Sequence, residues 1–479
     1  MNGLRSLLLP TLLCLGWQTA PAEHGDKETV IADIESRHAQ YEQIAMKIWD
    51  YAELGYLENE SSALLQETLD IEGFEIESGV AGLPTAFVAS AGTGGPVIGL
   101  LAEFDALPGI SQSAAPHRDI VEGKTSGHAC GHHLFGTASV AAAIAVKRWL
   151  RRSSVAGTVR VYGTPAEEGG SGKVYMVRAG LFDDVDAVFT WHPSDRNDAS
   201  SRRTLANRSA IFSFTGVSAH AANAPHKARS ALDGVEVFNY MINMMREHVP
   251  QDTRLHYVIS SGGEAPNVVP DYAEVYYYVR HPDAKTLLDI WERVSKAAEG
   301  AALGTGTTVQ QEVMHGNHSF LPNESLARLV YANLLPLGGV RYSEDEQSFA
   351  RKLYATLDTP EQALGSEARI QPLTPPTLHM GSTDVGDVSW IVPTGRLSAA
   401  TWVPGTSAHT WQAIAAGGSG IGVKGMQFAA KGLALTIVDL YTHPIHLEEA
   451  KKEFTERRGK DFTYRALLGD RDPPLDYRK

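Results

Sequence analysis

Cys130 and His132 stand two residues apart in the run Ser126-Gly-His-Ala-Cys-Gly-His-His-Leu-Phe-Gly136, a glycine-flanked turn ahead of a helix-like stretch. A thiolate and an imidazole on one short loop can reach the same ion, and soft sulfur with borderline nitrogen suits zinc-like metals. Alone the pair means little, because cysteine packs readily as a small hydrophobe. Three further groups give it weight: the adjacent carboxylates Glu167-Glu168, then His192, then His409 in Gly405-Thr-Ser-Ala-His-Thr-Trp-Gln412. Each has a bland reading, as an acidic helix start, a core histidine or a surface loop. Together, Cys130, His132, Glu168, His192 and His409 outnumber what one tetrahedral zinc takes and suit two ions sharing a bridging ligand and a water. Adjacent carboxylates can divide the work, one binding metal and the other handling protons beside a metal-activated water.

Such donors need elements that bring them together. Pro96–Asp105 reads as a buried strand ending in carboxylates, and Leu134–Leu150 as an alanine-rich helix. Thr158–Gly163 is the next strand, running into Thr164-Pro-Ala-Glu-Glu168, and Ala187–His192 another, stopped by Pro193. Alternating strands and helices predict an α/β fold with a mainly parallel sheet and helices on both faces. In such sheets ligands bind beyond the carboxyl ends of the strands, where Asp105, Glu167, Glu168 and His192 all fall.

The texture changes over 206–322, predicted as an inserted smaller α+β domain with strands at 210–215 and 273–280 and helices at 231–247 and 284–303. It divides a catalytic domain into 23–205 and 323–479. In the second part, a helix at 324–335 ends at Pro336, a polar loop-rich region runs to about Ile370, and 413–441 is a glycine-interrupted helical stretch. The charged segment after His446 reads as a solvated helix and tail.

Length and composition set the frame. A chain of 479 residues exceeds what one core usually organises. A formal charge of -14 argues against nucleic acid, which needs a basic face. Residues 1–22 read as a secretory signal: Arg5, an apolar run from Leu7 to Trp17, and a small-residue site at Ala20-Pro-Ala22. Export to the periplasm or medium would remove Cys14, leaving Cys130 as the lone thiol, and metal ligation would protect it. No other run reaches the roughly 20 uninterrupted apolar residues of a bilayer span, so no membrane partner is expected.

In the inserted domain, Ser218-Ala-His220-Ala-Ala, Asn267 and Arg280 stand out, and the Arg280 guanidinium would suit a substrate carboxylate. Gly420-Ile-Gly-Val-Lys-Gly425 matches a dinucleotide fingerprint but lies inside a helical stretch with no strand before it. There is no Gly-x-Ser-x-Gly elbow of the serine-hydrolase kind. With the ligand count full, His128 and His133 read as supporting residues.

Five ordered segments resemble the aminoacylase/carboxypeptidase type of dinuclear metallopeptidase, and within it the amidohydrolases. They are Ala102-Glu-Phe-Asp-Ala-Leu-Pro-Gly109, Gly127-His-Ala-Cys-Gly-His132, Thr164-Pro-Ala-Glu-Glu-Gly169, Ser218-Ala-His-Ala-Ala222 and Gly381-Ser-Thr-Asp-Val-Gly-Asp-Val-Ser-Trp390. The resemblance implies Cys130, His132, Glu168, His192 and His409 as ligands of two divalent ions, zinc or manganese, and Glu167 as general acid/base. It implies a lid that makes a homodimer, with His220 reaching the partner's site to steady the oxyanion. Asn267, Arg280, Ser382 and Thr383 would touch substrate. Where many relatives carry Asp or Asn after Cys-Gly-His, this chain has His133. The implied reaction is hydrolysis of the amide of an N-acyl or N-aroyl amino acid such as p-aminobenzoyl-glutamate. The rival readings are a dipeptidase or aminopeptidase, with Asp384 or Asp387 holding a substrate amine, and a catalytically dead binding protein.

Overall fold

The computed structural model describes residues 24–479, so the expected export signal and Cys14 lie outside the described residues. In chain order, two sheets are built from β1 (Glu75–Ser78), β2 (Phe87–Thr93), β3 (Val97–Ala102), β4 (Gly157–Gly163), β5 (Ala187–Ser194), β6 (Ala206–Thr215), β7 (Arg254–Ser261), β8 (Tyr272–His281), β9 (Thr308–Asn317) and β10 (Thr394–Ala400). The catalytic sheet has the order β1-β2-β4-β3-β5-β10. Its four strands β4, β3, β5 and β10 are parallel, and β2 and β1 extend one edge antiparallel.

The central strand β3 (Val-Ile-Gly-Leu-Leu-Ala) is buried from Ile98 onward, as a strand covered on both faces must be. Helix His132–Ser153 follows the Cys130 loop and is almost wholly buried. It packs against helix Gly420–Thr442 and the sheet. That second helix is long and apolar enough for a membrane span, but 83% of its apolar window is buried inside the protein. Gly131, at φ 77°, starts the first helix, and a Cβ there would lie 2.7 Å from Pro193. Only glycine allows both the left-handed turn and that approach.

The inserted domain is an antiparallel sheet of order β7-β8-β6-β9, with helices Ala231–Met245 and Ala284–Thr305 packed on it. It has its own core, in which Phe212, Phe238, Tyr277 and Trp291 cluster. Ser230 and Asp283 cap the two helices by accepting N–H bonds from Asp233 and Thr286. The edge strand β7 leaves Tyr257, Val258 and Ile259 exposed, and the first helix leaves Tyr240, Met241 and Met244 exposed.

Several local expectations are corrected. Pro193 does not stop β5, which runs to Ser194: the β3 ladder already ends at Phe189, so β5 continues only along β10. Pro336 does not stop its helix, which reaches Leu337, because one proline in the last turn breaks little. The loop-rich region contains helix Glu344–Tyr354, announced by a Ser343/Glu346 capping box. Strands β7 and β9 lie at the sheet edges and carry exposed polar residues, which hides their alternation. The segment after the last helix is not a solvated tail. Leu467 and Leu468 are buried, with Leu467 packed into the core of the inserted domain.

Candidate metal centre

The loop after β3 places Asp105, the turn before the long helix places Cys130 and His132, the loop after β4 places Glu167 and Glu168, and β5 places His192. His409 arrives from a distant loop. Cys130 Sγ lies 3.4 Å from His192 Nε2, and His409 Nε2 lies 3.2 Å from Glu168 Oε1. Cys130, His132 and His192 form one set of donors within 4.8 Å of one another, and Cys130, Glu168 and His409 form a second. Cys130 is common to both, as a bridging thiolate would be.

The ring nitrogens are oriented for ligation. His132 Nδ1–H donates to Asp105 Oδ1 at 2.9 Å, and His192 Nδ1–H donates to the carbonyl of Pro193 at 2.7 Å. Each leaves its Nε2 lone pair turned toward the donor cluster, the arrangement usual for metal-bound imidazoles. His132 Nε2 faces Glu103 Oε2 at 3.1 Å, yet both atoms are buried without a hydrogen-bond partner, as is Glu168 Oε1. Such acceptor atoms converging in a buried space call for a positive charge among them, a metal ion or a proton on His132.

The Glu167-Glu168 loop is held from several sides. The Ala166 N–H donates to Glu58 Oε1 at 2.8 Å, and the Glu168 N–H donates to Asp105 Oδ2 at 2.9 Å. The Glu168 carbonyl accepts from Tyr477 Oη at 3.2 Å and from Arg478 Nη2 at 2.7 Å. Ala166 and His409 have φ of 56° and 62°, left-handed values that cost non-glycine residues roughly 1–2 kcal/mol. Strain of this kind collects at functional sites.

Charge separates the two glutamates. Burial raises both carboxyls, but the His409 imidazole 3.2 Å away and the His132 charge win at Glu168 and hold it low. At Glu167, burial and the charges of Glu103, Glu168 and Asp384 push the carboxyl well above its ordinary range, against the pull of Lys173. Lys173 is fully buried, with Nζ 2.8 Å from Glu103 and 2.7 Å from Asp384. Burial would lower its pKa, but these carboxylates raise it.

A cavity of about 400 Å³ opens onto the cluster, and Ser382 and Thr383 line it. Arg280 does not line it within one chain; it lies over the Tyr278 ring at 5.3 Å within the inserted domain. His220 and Asn267 are exposed on that domain and bridge locally, His220 to Val268 and Asn267 to Ala221. They do not meet the donor cluster within one chain. His128 and His133 hydrogen-bond to the carbonyls of Ile48 and Gly417 and tie the long helix to its neighbours. Asp384 is taken by Lys173, and Asp387 accepts from the His318 N–H and the Tyr464 hydroxyl. Sequence reasoning misses Glu103, although its alternation with Asp105 at a strand end is visible, and misses Lys173.

Residues 206–305 match a family described as a peptidase dimerisation domain. Over 448 residues, 88% of this chain and 93% of the relative, the chain is 42% identical to one of the p-aminobenzoyl-glutamate hydrolase subunits of Escherichia coli. The chain belongs to the M20 family of peptidases. It is also 32% identical to the Xaa-Arg dipeptidase of Mus musculus, over 86% of this chain and 88% of that one. Its fold resembles that of a dinuclear metal-binding M20 peptidase from Bacillus subtilis, with a TM-score of 0.55 at 18% identity over 83% of this chain and 98% of that one. Members of this family are hydrolases, which is the class the site chemistry indicates.

Proposed function

We propose that this M20 hydrolase cleaves the amide bond of an N-acyl or N-aroyl amino acid, of the p-aminobenzoyl-glutamate kind, with two divalent ions held by Cys130, His132, Glu168, His192 and His409. The convergence of these five donors, with Cys130, Glu168, His192 and His409 lining one cavity beside Glu167 and His132 buried behind it, carries the reading. Thiolate and imidazole donors favour zinc, and the carboxylate also suits manganese. When bound, the ions would supply Lewis-acid activation of water and of the scissile carbonyl.

The chain's own residues do the rest. Asp105 fixes the His132 tautomer. Glu167, whose carboxyl is raised by burial and neighbouring carboxylates, accepts a proton from the attacking water and returns it to the departing amine. Ser382 and Thr383 border the acyl pocket. The exposed apolar strip on β7 and the match to a dimerisation domain support a homodimer. In it, His220 would reach the partner's cavity and stabilise the oxyanion, with Asn267 close to substrate. The signal-like residues 1–22 support export.

The dipeptidase reading needs a carboxylate free to hold a substrate amine, and both Asp384 and Asp387 are already committed within the protein. Metal-depleted protein reloaded with zinc, manganese or cobalt and assayed on N-acyl, N-aroyl and dipeptide substrates tests the proposal. Turnover confined to dipeptides would overturn it.

A further inference from the structure

The cavity that meets the donor cluster also contains a guanidinium with no carboxylate of its own. Arg396 on β10 pairs in register with Thr190 on β5, and Ser398 pairs with His192. Residues two apart share a face of a strand, so Thr190 lies on the same face as His192, one pleat or about 7 Å along β5. Arg396 lies beside Thr190 one strand over, about 5 Å further across the sheet. All three line the cavity.

Among the described residues, Arg396 forms no ion pair. The carboxylate within reach, Asp198, is paired with Arg202 and also accepts the Ser200 N–H. The Phe320 ring lies 5.8 Å from the Arg396 guanidinium. Burial and then the Arg202 charge draw Arg396 down to about 10, so it stays charged at neutral pH. The cavity is thus electrostatically divided: donors for cations at one end, an uncompensated cation at the other. A half-buried guanidinium without a partner is costly, and its planar fork matches a carboxylate in two-point contact.

We propose that Arg396 binds the side-chain carboxylate of an acidic amino acid in the substrate, and so selects N-acyl or N-aroyl derivatives of glutamate or aspartate. The inference rests on the amidohydrolase reading above. The separation favours the side-chain group, because an α-carboxylate would sit against the scissile carbonyl at the donor cluster, whereas a side-chain carboxylate reaches one pleat further.

The test uses metal-loaded wild-type, Arg396→Met and Arg396→Lys proteins with N-benzoyl-glutamate and N-benzoyl-glutamine. Wild type should prefer the glutamate substrate by about a hundredfold in kcat/KM, a usual return for a desolvated charge pair. In Arg396→Met that ratio should fall to near one, chiefly through KM, and Arg396→Lys should recover part of it. An equal loss on both substrates, or no preference in wild type, would overturn the assignment. Calorimetric titration with free glutamate separates the two readings. If wild type hydrolyses neither amide but binds glutamate, and Arg396→Met does not, the reaction reading fails and the subsite stands. Equal glutamate binding by both proteins refutes the subsite.

Discussion

Asp105 grips His132 from behind: its Oδ1 accepts the Nδ1–H at 2.9 Å, while its Oδ2 accepts the Glu168 N–H at 2.9 Å. One buried carboxylate therefore sets both a ring tautomer and the position of a second ligand. Burial would raise its pKa, but the His132 charge and these hydrogen bonds hold it low. Asp105→Asn turns an NH₂ toward one of two donors. Metal affinity should drop about 10–100-fold, measured by competition with a chromogenic chelator, with the fold intact by circular dichroism.

Glu167→Gln separates binding from chemistry. The side chain is not among the five proposed ligands, so metal content by mass spectrometry should match wild type. Turnover should drop by about 10²–10⁴ as proton transfer is lost. Full activity would remove Glu167 from its role.

Lys173 is predicted to matter for stability before catalysis. Lys173→Met leaves Glu103 and Asp384 facing each other in the core, and losing one partner of a buried pair costs about 3–5 kcal/mol. Chemical denaturation should show that loss, and a Lys173→Met/Asp384→Asn double variant should recover part of it.

The tail is expected to tune catalysis with little effect on folding. Tyr477→Phe with Arg478→Ala frees the Glu168 carbonyl from both its donors. Two lost hydrogen bonds of about 1 kcal/mol each should lower kcat severalfold while the melting temperature moves only slightly. A large drop in melting temperature would make the tail a folding element instead.

Acid should loosen the inserted domain through His315. It is buried, with Nδ1–H donating to Asn207 Oδ1 at 2.8 Å, and burial, then the Arg280 charge, lowers its pKa to about 4. Unfolded chains take up the proton near pH 6.5, so stability is full above that value and is lost as pH falls toward 4. At pH 5 the loss is about 2 kcal/mol. Hydrogen exchange in β6 and β9 of the full chain should accelerate between pH 7 and 5, and less so in His315→Gln.

The parts of the fold most legible in the sequence are those with local signals. β3 is a continuous apolar run, the long helix is alanine-rich, and the strand-end carboxylates stand beside turn residues. Edge strands β7 and β9 are not legible, because consecutive residues on both faces are exposed and leave no clean period. The helix at 344–354 has a local signal in its capping box, but the polar residues around it mask the helical period. The tail's burial has no local signal: Leu467 and Leu468 sit in a polar run, and only the groove they occupy makes them core.

The site divides in the same way. Sequence alone named the candidate donors, since Cys130, His132, Glu168, His192 and His409 are residue types a pair of soft-to-borderline ions would take, and the parallel sheet accounts for the strand-end placement of Glu168 and His192. Tertiary structure alone decided which ring nitrogen of His132 and of His192 faces the cluster, that Glu103 and Lys173 pack beside it, and that Arg396 lines the cavity. The reason is physical. Ligand identity resides in side-chain chemistry, which a sequence states outright. Tautomer, desolvation and unpaired charge depend on what packs within a few ångströms, and those neighbours come from segments hundreds of residues apart.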